Sequence, residues 1–423
     1  MIRALRHPNY RLFFAGQGIS LVGTWMQRIA LQWLIYRLTG SAFWLGLAGF
    51  ASQVPILFVG PFAGVLADRW NLRRVLVLTQ ALALLQALIL GVLTLMNLVT
   101  REEIIALAVF LGLVNSFDMP VRQSFTVQMV EHPGDLGNAI ALNSFLVNGA
   151  RLVGPSIAGL LIARIGEGWC FILNAVSYVA VIIALLAMHI RPQTHSRHHG
   201  PILEGLHEGL RYAWGFAPIR AILLLVALSS LMAMPYTTLV PIFAKDILHG
   251  GPQTLGYLMA ACGIGAIGGA IYLASRQTVF GLGAVVAFGA GLFGLSLVTF
   301  AVSNVFWLSF LLMVFTGLGM MLHLASSNTI LQTIVDEDKR GRIMSLYTIA
   351  FFGLTPFGSL WAGSVAHSLG APRTLMIGGV AVVIGAIVLA LRLPAIRRIA
   401  RPVLASKGIT PAGTDVDDLT GDR

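Results

Sequence analysis

Charge is scarce in this sequence. Of 423 residues only 11% are charged, while 57% are hydrophobic and the mean hydropathy is +0.83. A soluble domain carries about 25% charged residues, so this stock cannot cover a water-facing surface. Cysteine is nearly absent. The two present, Cys170 and Cys262, lie at or within apolar runs and imply neither a disulfide framework nor a CxxC metal or redox site. A P-loop pattern is missing, so nucleotide hydrolysis at a site of that type is not implied. No intramembrane metal-ligand pair and no nucleophile–base spacing point to an enzyme, and no cofactor is implied.

What is present in quantity is long apolar runs. Windows of roughly 20 apolar residues recur along the chain, enough for about twelve membrane helices. They fall near 12–36, 43–67, 74–96, 103–129, 138–164, 169–190, 219–243, 255–275, 280–301, 305–333, 343–367 and 373–392. The first is too long for a signal-peptide core and has no small-residue cleavage site, so it is read as a retained span. The net charge of +11 is spread in short clusters between spans. Arg3, Arg6 and Arg11 precede the first span, Arg69, Arg73 and Arg74 follow the second, and Arg397, Arg398 and Arg401 follow the last. That alternation is the positive-inside signature of a multi-pass protein with both termini cytoplasmic. It argues against a nucleic-acid partner.

The spans group as an N-terminal bundle over 1–190 and a C-terminal bundle over 219–393. The connection 191–218 opens with a polar RPQTHSRHHGP stretch, read either as a solvated linker or as a metal-binding His run. It ends in a segment with Ile202, Leu206, Leu210 and Trp214 on one face, expected to lie on the cytoplasmic leaflet. Residues 394–423 are expected to be a disordered cytoplasmic tail. An internal repeat supports the two halves: the segment from Gly112 resembles that from Gly317, and Gly154, Gly159 and Gly166 match Gly358, Gly363 and Gly370. Parallel repeats with a site at their interface are a recurrent transporter plan.

Between the second and third spans stands Gly64-Val-Leu-Ala-Asp68-Arg69-Trp-Asn-Leu-Arg73-Arg74. Gly64 permits close helix approach, and Asp68 can pair with Arg73 or sit at a helix N-terminus. Such contacts form in one conformation and break in another, as a latch does. This pattern resembles that of the major facilitator superfamily. The opening RHPNYRLFFAGQGISLVGTWMQRIALQWLIYRLTGS, DMPVRQSFTVQMV, ARLVGPSIAGLLI and LQTIVDEDKRGRIMSLY further resemble its enterobactin-exporter, multidrug and macrolide efflux branch. The resemblance implies an all-α integral membrane fold of two six-helix bundles around a central cavity. It also implies that Asp68, Arg73 and Arg122 form a charge cluster facing the helix end around Gly341.

Gly154-Pro155-x-x-x-Gly159 resembles the end of an antiporter motif, although a simple helix kink accounts for it as well. Ionisable groups inside spans are costly and usually functional. Arg28 and Arg151 either contact an anionic substrate or support helix packing. Asp118 and Arg122, at i and i+4, share a face: Asp118 is either a proton-coupling group or half of a structural ion pair. The repeat aligns Asp118 with His323, so the two are candidates for flanking a pathway from opposite halves. Trp25, Gln27 and Gln32 are candidate cavity residues, with Trp33 and Tyr36 read as interfacial anchors. These readings converge on a monomeric inner-membrane exporter of a hydrophobic or amphipathic small molecule, drug or siderophore-like. It would work by alternating access and proton antiport. A nutrient symporter and a lysophospholipid flippase are the alternatives.

Overall fold

The computed structural model describes residues 3–67, 70–130, 133–188, 202–276 and 278–406, and every regular element in them is helical. Helices are what a bilayer permits, because each backbone N–H and C=O must be satisfied within its own segment. The first half contains α1 (Pro8–Thr39), α2 (Ala42–Ala67), α3 (Leu72–Leu95), α4 (Arg101–Gln128), α5 (Leu136–Ile165) and α6 (Glu167–Ala187). After α7 (Ile202–Gly215) come α8 (Ala217–Met232), α9 (Tyr236–Ile242), α10 (Pro252–Ser275) and α11 (Leu282–Val302). The chain closes with α12 (Phe306–Ile334), α13 (Glu337–Thr348), α14 (Thr355–Leu369) and α15 (Ala371–Ser406).

Among the described residues eleven segments are long and apolar enough to cross a membrane. One is Ala217–Ile247, where α8 and α9 run into a π-helical turn at Phe243–Ile247; another is Lys339–Leu369, where α13 and α14 flank a π turn at Ile349–Gly353. Helix α1 is long enough too, but Gln17, Gln27, Arg28 and Gln32 lower its hydropathy. With it the all-α membrane fold has the twelve long helical segments that the sequence leads one to expect. Helix ends are set locally. Thr100 and Glu103 form a capping box on α4, and the Asn71 side chain accepts from the Arg74 N–H at the start of α3. Gly166 and Gly370, matched by the repeat, both close their helices at positive φ (88° and 85°), backbone that strongly favours glycine.

Within the first half α1 packs on α5 and α6, and α2 on α4; within the second, α12 packs on α10 and α11, and α15 on α11 and α8. The halves meet along α2–α14 and α5–α10. The apolar cores show where that meeting occurs. One core runs through both halves, joining Leu34, Leu45 and Ile162 to Val240, Leu255 and Ala362. Towards the end bearing the chain termini the cores separate: Tyr10, Phe13, Leu76 and Phe125 form one, and Ala213, Ile219, Ile343 and Tyr347 another. Among the described residues the halves thus share a core at the far end and form separate cores at the terminus end.

Helix α7 packs against α13 through Gly209, whose Cβ position lies 3.1 Å from Arg342 Cβ, and through a 2.6 Å Glu208–Arg342 ion pair. Leu210 and Trp214 remain exposed, as an interfacial helix requires. The expectation of disorder from 394 onward does not hold as far as Ser406. Helix α15 continues through Pro394 and Pro402, and Leu393 and Ile396 pack on the second half's core. The remainder of the tail and the His run fall outside the described residues.

Candidate substrate cavity and its gates

At the closed end of the space between the halves, α1 and α5 bring two arginines to one indole. The Arg28 guanidinium stands 4.8 Å from the Trp25 ring centroid and that of Arg151 5.7 Å. Arg28 is exposed into the space, whereas Arg151 is half-buried and reaches across it. Arg151 Nη2 lies 3.4 Å from Met320 Sδ on α12. It also lies against Tyr236 and Cys262, which hydrogen-bond each other at 3.0 Å. Among the described residues, no carboxylate forms an ion pair or hydrogen bond with either arginine; the described acids with printed partners are engaged elsewhere. An arginine at a helix centre in the membrane costs roughly 2.5–3.5 kcal/mol on insertion scales. Stacking on an aromatic ring returns about 0.5–2 kcal/mol. Two such cations side by side therefore leave a deficit, which a bound anion with bidentate acceptors offsets.

The far end is sealed by backbone against backbone. A Cβ on Gly46 of α2 would lie 2.5 Å from the Ser359 carbonyl oxygen and 2.7 Å from Gly363 Cα on α14. A Cβ on Gly159 of α5 would lie 2.9 Å from the Pro252 carbonyl oxygen and 3.1 Å from Gly256 Cα on α10. Gly159 and Gly363 are the repeat-matched pair, so the two seals are related by the internal symmetry. Gly154 in the same motif lets α5 cross α1, its Cβ position being 2.6 Å from Trp25 Cβ. Small residues admit such close helix crossings. A polar lock adds to the seal. Tyr36 Oη donates a short hydrogen bond to Asp246 in the other half, with Lys245 Nζ 5.3 Å from the Tyr36 ring.

A transmembrane secretion effector family model, MFS_3, matches residues 2–407. The chain belongs to that family. Among curated proteins this chain is 26% identical to the "Staphyloferrin A transporter" of Staphylococcus aureus, over 88% of its own length and 93% of that protein's. It is 27% identical to "Multidrug efflux pump Tap" of Mycobacterium tuberculosis, over 93% and 95% of the two chains. Among solved structures, a bacterial homologue of the iron transporter ferroportin in an inward-facing state has a TM-score of 0.70 at 16% identity. The alignment covers 90% of this chain and 98% of that one. A bacterial homologue of the lysosomal transporter Spinster, inward-facing and occupied, has a TM-score of 0.69 at 14% identity, covering 93% and 98%. At such identities these two show the shared fold.

The other sequence candidates take the following places. Asp118 is buried between α3 and α4: it pairs with Arg122 and accepts from Thr79 Oγ1 at 2.9 Å and Gln80 Nε2 at 2.7 Å. His323 is buried within the second half, bonded at 3.2 Å to Ser229, with no partner for Nδ1 among the described residues. Asp118 packs among first-half helices and His323 among second-half helices, and no hydrogen bond or ion pair joins the two among the described residues. Gln27 turns away from the cavity, accepting from Asn174 at 2.7 Å and donating to Gln86 at 3.0 Å. Trp33 and Tyr36 are buried and so are not interfacial anchors.

Of the latch, Asp68 and Arg69 lie outside the described residues, Gly64 is located only as backbone of α2, and Arg74 is exposed in the first turn of α3, where its N–H donates to the Asn71 side chain. Arg73 donates to the Leu186 carbonyl at 2.5 Å, Arg122 is held by Asp118, and Gly341 in α13 has open space around it. Among described residues no ion pair or hydrogen bond joins these groups across the halves. Sequence reasoning missed Gly46, Gly256 and Asp246. The first two were findable from the repeat, as the neighbours that Gly363 and Gly159 require.

Proposed function

We propose that the protein exports amphipathic small molecules bearing an anionic group from the cytoplasm, by alternating access and in exchange for protons. It sits in the inner (plasma) membrane with both termini cytoplasmic. The observation that carries this reading is the pair of arginines stacked on Trp25 without a carboxylate partner among the described residues. The cavity opens towards the termini, the side from which an exporter loads. The relatives' names, an efflux pump and a siderophore transporter, support a small-molecule cargo. The latch then belongs to the opposite, outward-facing state, in which Asp68, Arg69, Arg73, Arg74 and Arg122 meet the helix around Gly341 and the terminus end is closed. Asp118 serves as a structural staple, which leaves His323 as the group to test for proton coupling.

The experiment is transport in proteoliposomes of a matched pair, an amphipathic carboxylate and its methyl ester. A hydrogen bond to a charged group contributes about 1.5–3 kcal/mol. Replacing both arginines (Arg28→Gln with Arg151→Gln) is therefore expected to lower carboxylate transport roughly 10- to 150-fold and leave the ester within a few-fold. An equal loss for both molecules refutes the charge-reading role.

A further inference from the structure

Away from the central cavity, α8 and α15 leave a groove of about 190 Å³ on the outer face of the second half. Most of its lining is apolar. Leu224, 51% exposed, and Val388, 46%, open it to the outside of the bundle among the described residues. Gly385 makes the floor: a Cβ there would lie 2.8 Å from Leu228 Cδ2 and 2.9 Å from Leu225 Cδ1. A narrow apolar trough facing the bilayer suits an acyl chain.

The terminus end of the trough is different in character. Arg220 and Arg392 both line it. Arg220 stands in the first turn of α8, and its Nη1 donates to the Trp214 carbonyl at 3.2 Å, beside the exposed indole of that interfacial residue. Arg392 lies about 30 Å along α15 from its far-side start, at 1.5 Å per residue, so both guanidiniums sit near the same membrane boundary. Neither is paired with a carboxylate in any ion pair among the described residues. The amino end of α8 adds its positive pole to the same spot. Two cations at the interface, above an apolar trough, complement a molecule with an anionic head and an apolar chain. Basic pockets between membrane helices hold anionic headgroups in this way.

We propose that this groove is a binding site for an anionic phospholipid of the terminus-side leaflet. The phosphate lies between Arg220 and Arg392, and one acyl chain runs along Leu224, Leu228 and Val388 over Gly385. Because α8 continues into the Tyr236–Ile247 segment that carries the Asp246 lock, a lipid held between α8 and α15 bears on the half that must rock.

The test uses the purified full-length protein in detergent, with phosphatidylglycerol or phosphatidylcholine of identical acyl chains added. Thermal unfolding and native mass spectrometry are the readouts. Phosphatidylglycerol is expected to raise the midpoint by several degrees and remain bound, while phosphatidylcholine and inorganic phosphate do neither. Arg220→Gln with Arg392→Gln should weaken the phosphatidylglycerol effect at least tenfold. Gly385→Leu, which only has to displace the ends of two flexible leucines, should weaken it comparably with both arginines intact. Arg397→Gln with Arg398→Gln, a control of equal charge change, should leave it in place. The proposal is overturned if the Arg220/Arg392 variant keeps the wild-type preference, or if the control variant loses it equally. It is also overturned if filling the groove at Gly385 changes nothing.

Discussion

Alanine at Gly46 would place a methyl carbon 2.5 Å from the Ser359 carbonyl oxygen and 2.7 Å from Gly363 Cα. Carbon atoms sit comfortably at about 3.5–4.0 Å, so α2 and α14 must separate by about 1 Å, and backbone cannot rotate aside as a side chain can. Overpacking of this kind costs about 1–3 kcal/mol, all of it in the state where the far end is closed. The gain in helix propensity from glycine to alanine is common to both states and cancels. At 1.4 kcal/mol per tenfold, the closed-to-open ratio falls roughly 5- to 150-fold. A far-side-open state populated at about 1% then rises to roughly 5–60%. Spin labels on cysteines introduced at the exposed positions Phe43 and Leu369, at the far ends of α2 and α14, report this as a second, longer distance. The native Cys170 and Cys262 are buried and stay unlabelled. Gly268→Ala, whose methyl meets open space, is the control. If Gly46→Ala gives the distance distribution of the wild type and of that control, the glycine contact does not set the far-side gate.

Tyr36→Phe removes a hydrogen bond to a charged acceptor, a loss of about 1.5–3 kcal/mol. It should populate the same longer Phe43–Leu369 distance; an unchanged distribution removes Asp246 from the gate. Asp118→Asn leaves Arg122 unpaired, a cost of about 2–3 kcal/mol. That is below the range for a fully buried pair, because Arg122 keeps 27% of its side-chain surface exposed. The thermal midpoint in detergent should fall while the pH profile of transport keeps its shape. Normal stability with a displaced profile would make Asp118 the coupling group. His323→Gln should flatten the pH dependence of transport, and an unaltered dependence excludes His323 from coupling.

The spans and their grouping in two halves were legible because hydropathy and repeated glycines act through the bilayer and through close crossing, both of which are local rules. Gly166 and Gly370 show this: the repeat paired them, and both occupy positive φ at helix ends. Arg28 and Arg151 stood out as charges in apolar runs, but their common ring is a tertiary fact that no spacing encodes. Tyr36 illustrates the limit. An aromatic near a span end satisfies either a headgroup region or a partner helix, and only the fold brings Asp246 to it. Asp118 was left between two roles because its neighbour at i+4 is visible in sequence, whereas Thr79 and Gln80 reach it from α3. The tail after 394 differs from expectation because polar sequence without an apolar period suggests disorder, while the packing of Leu393 and Ile396 carries α15 onward.

The proposed activity is export of an amphipathic anion against protons. Its most direct test is the purified protein in liposomes loaded with a pH-sensitive dye, under an imposed proton gradient, with the carboxylate substrate and its ester supplied in turn. The account predicts substrate-dependent proton flux opposite in direction to carboxylate movement, absent from liposomes carrying the Arg28→Gln, Arg151→Gln protein. Carboxylate movement without proton flux, or equal flux with the ester, would contradict it.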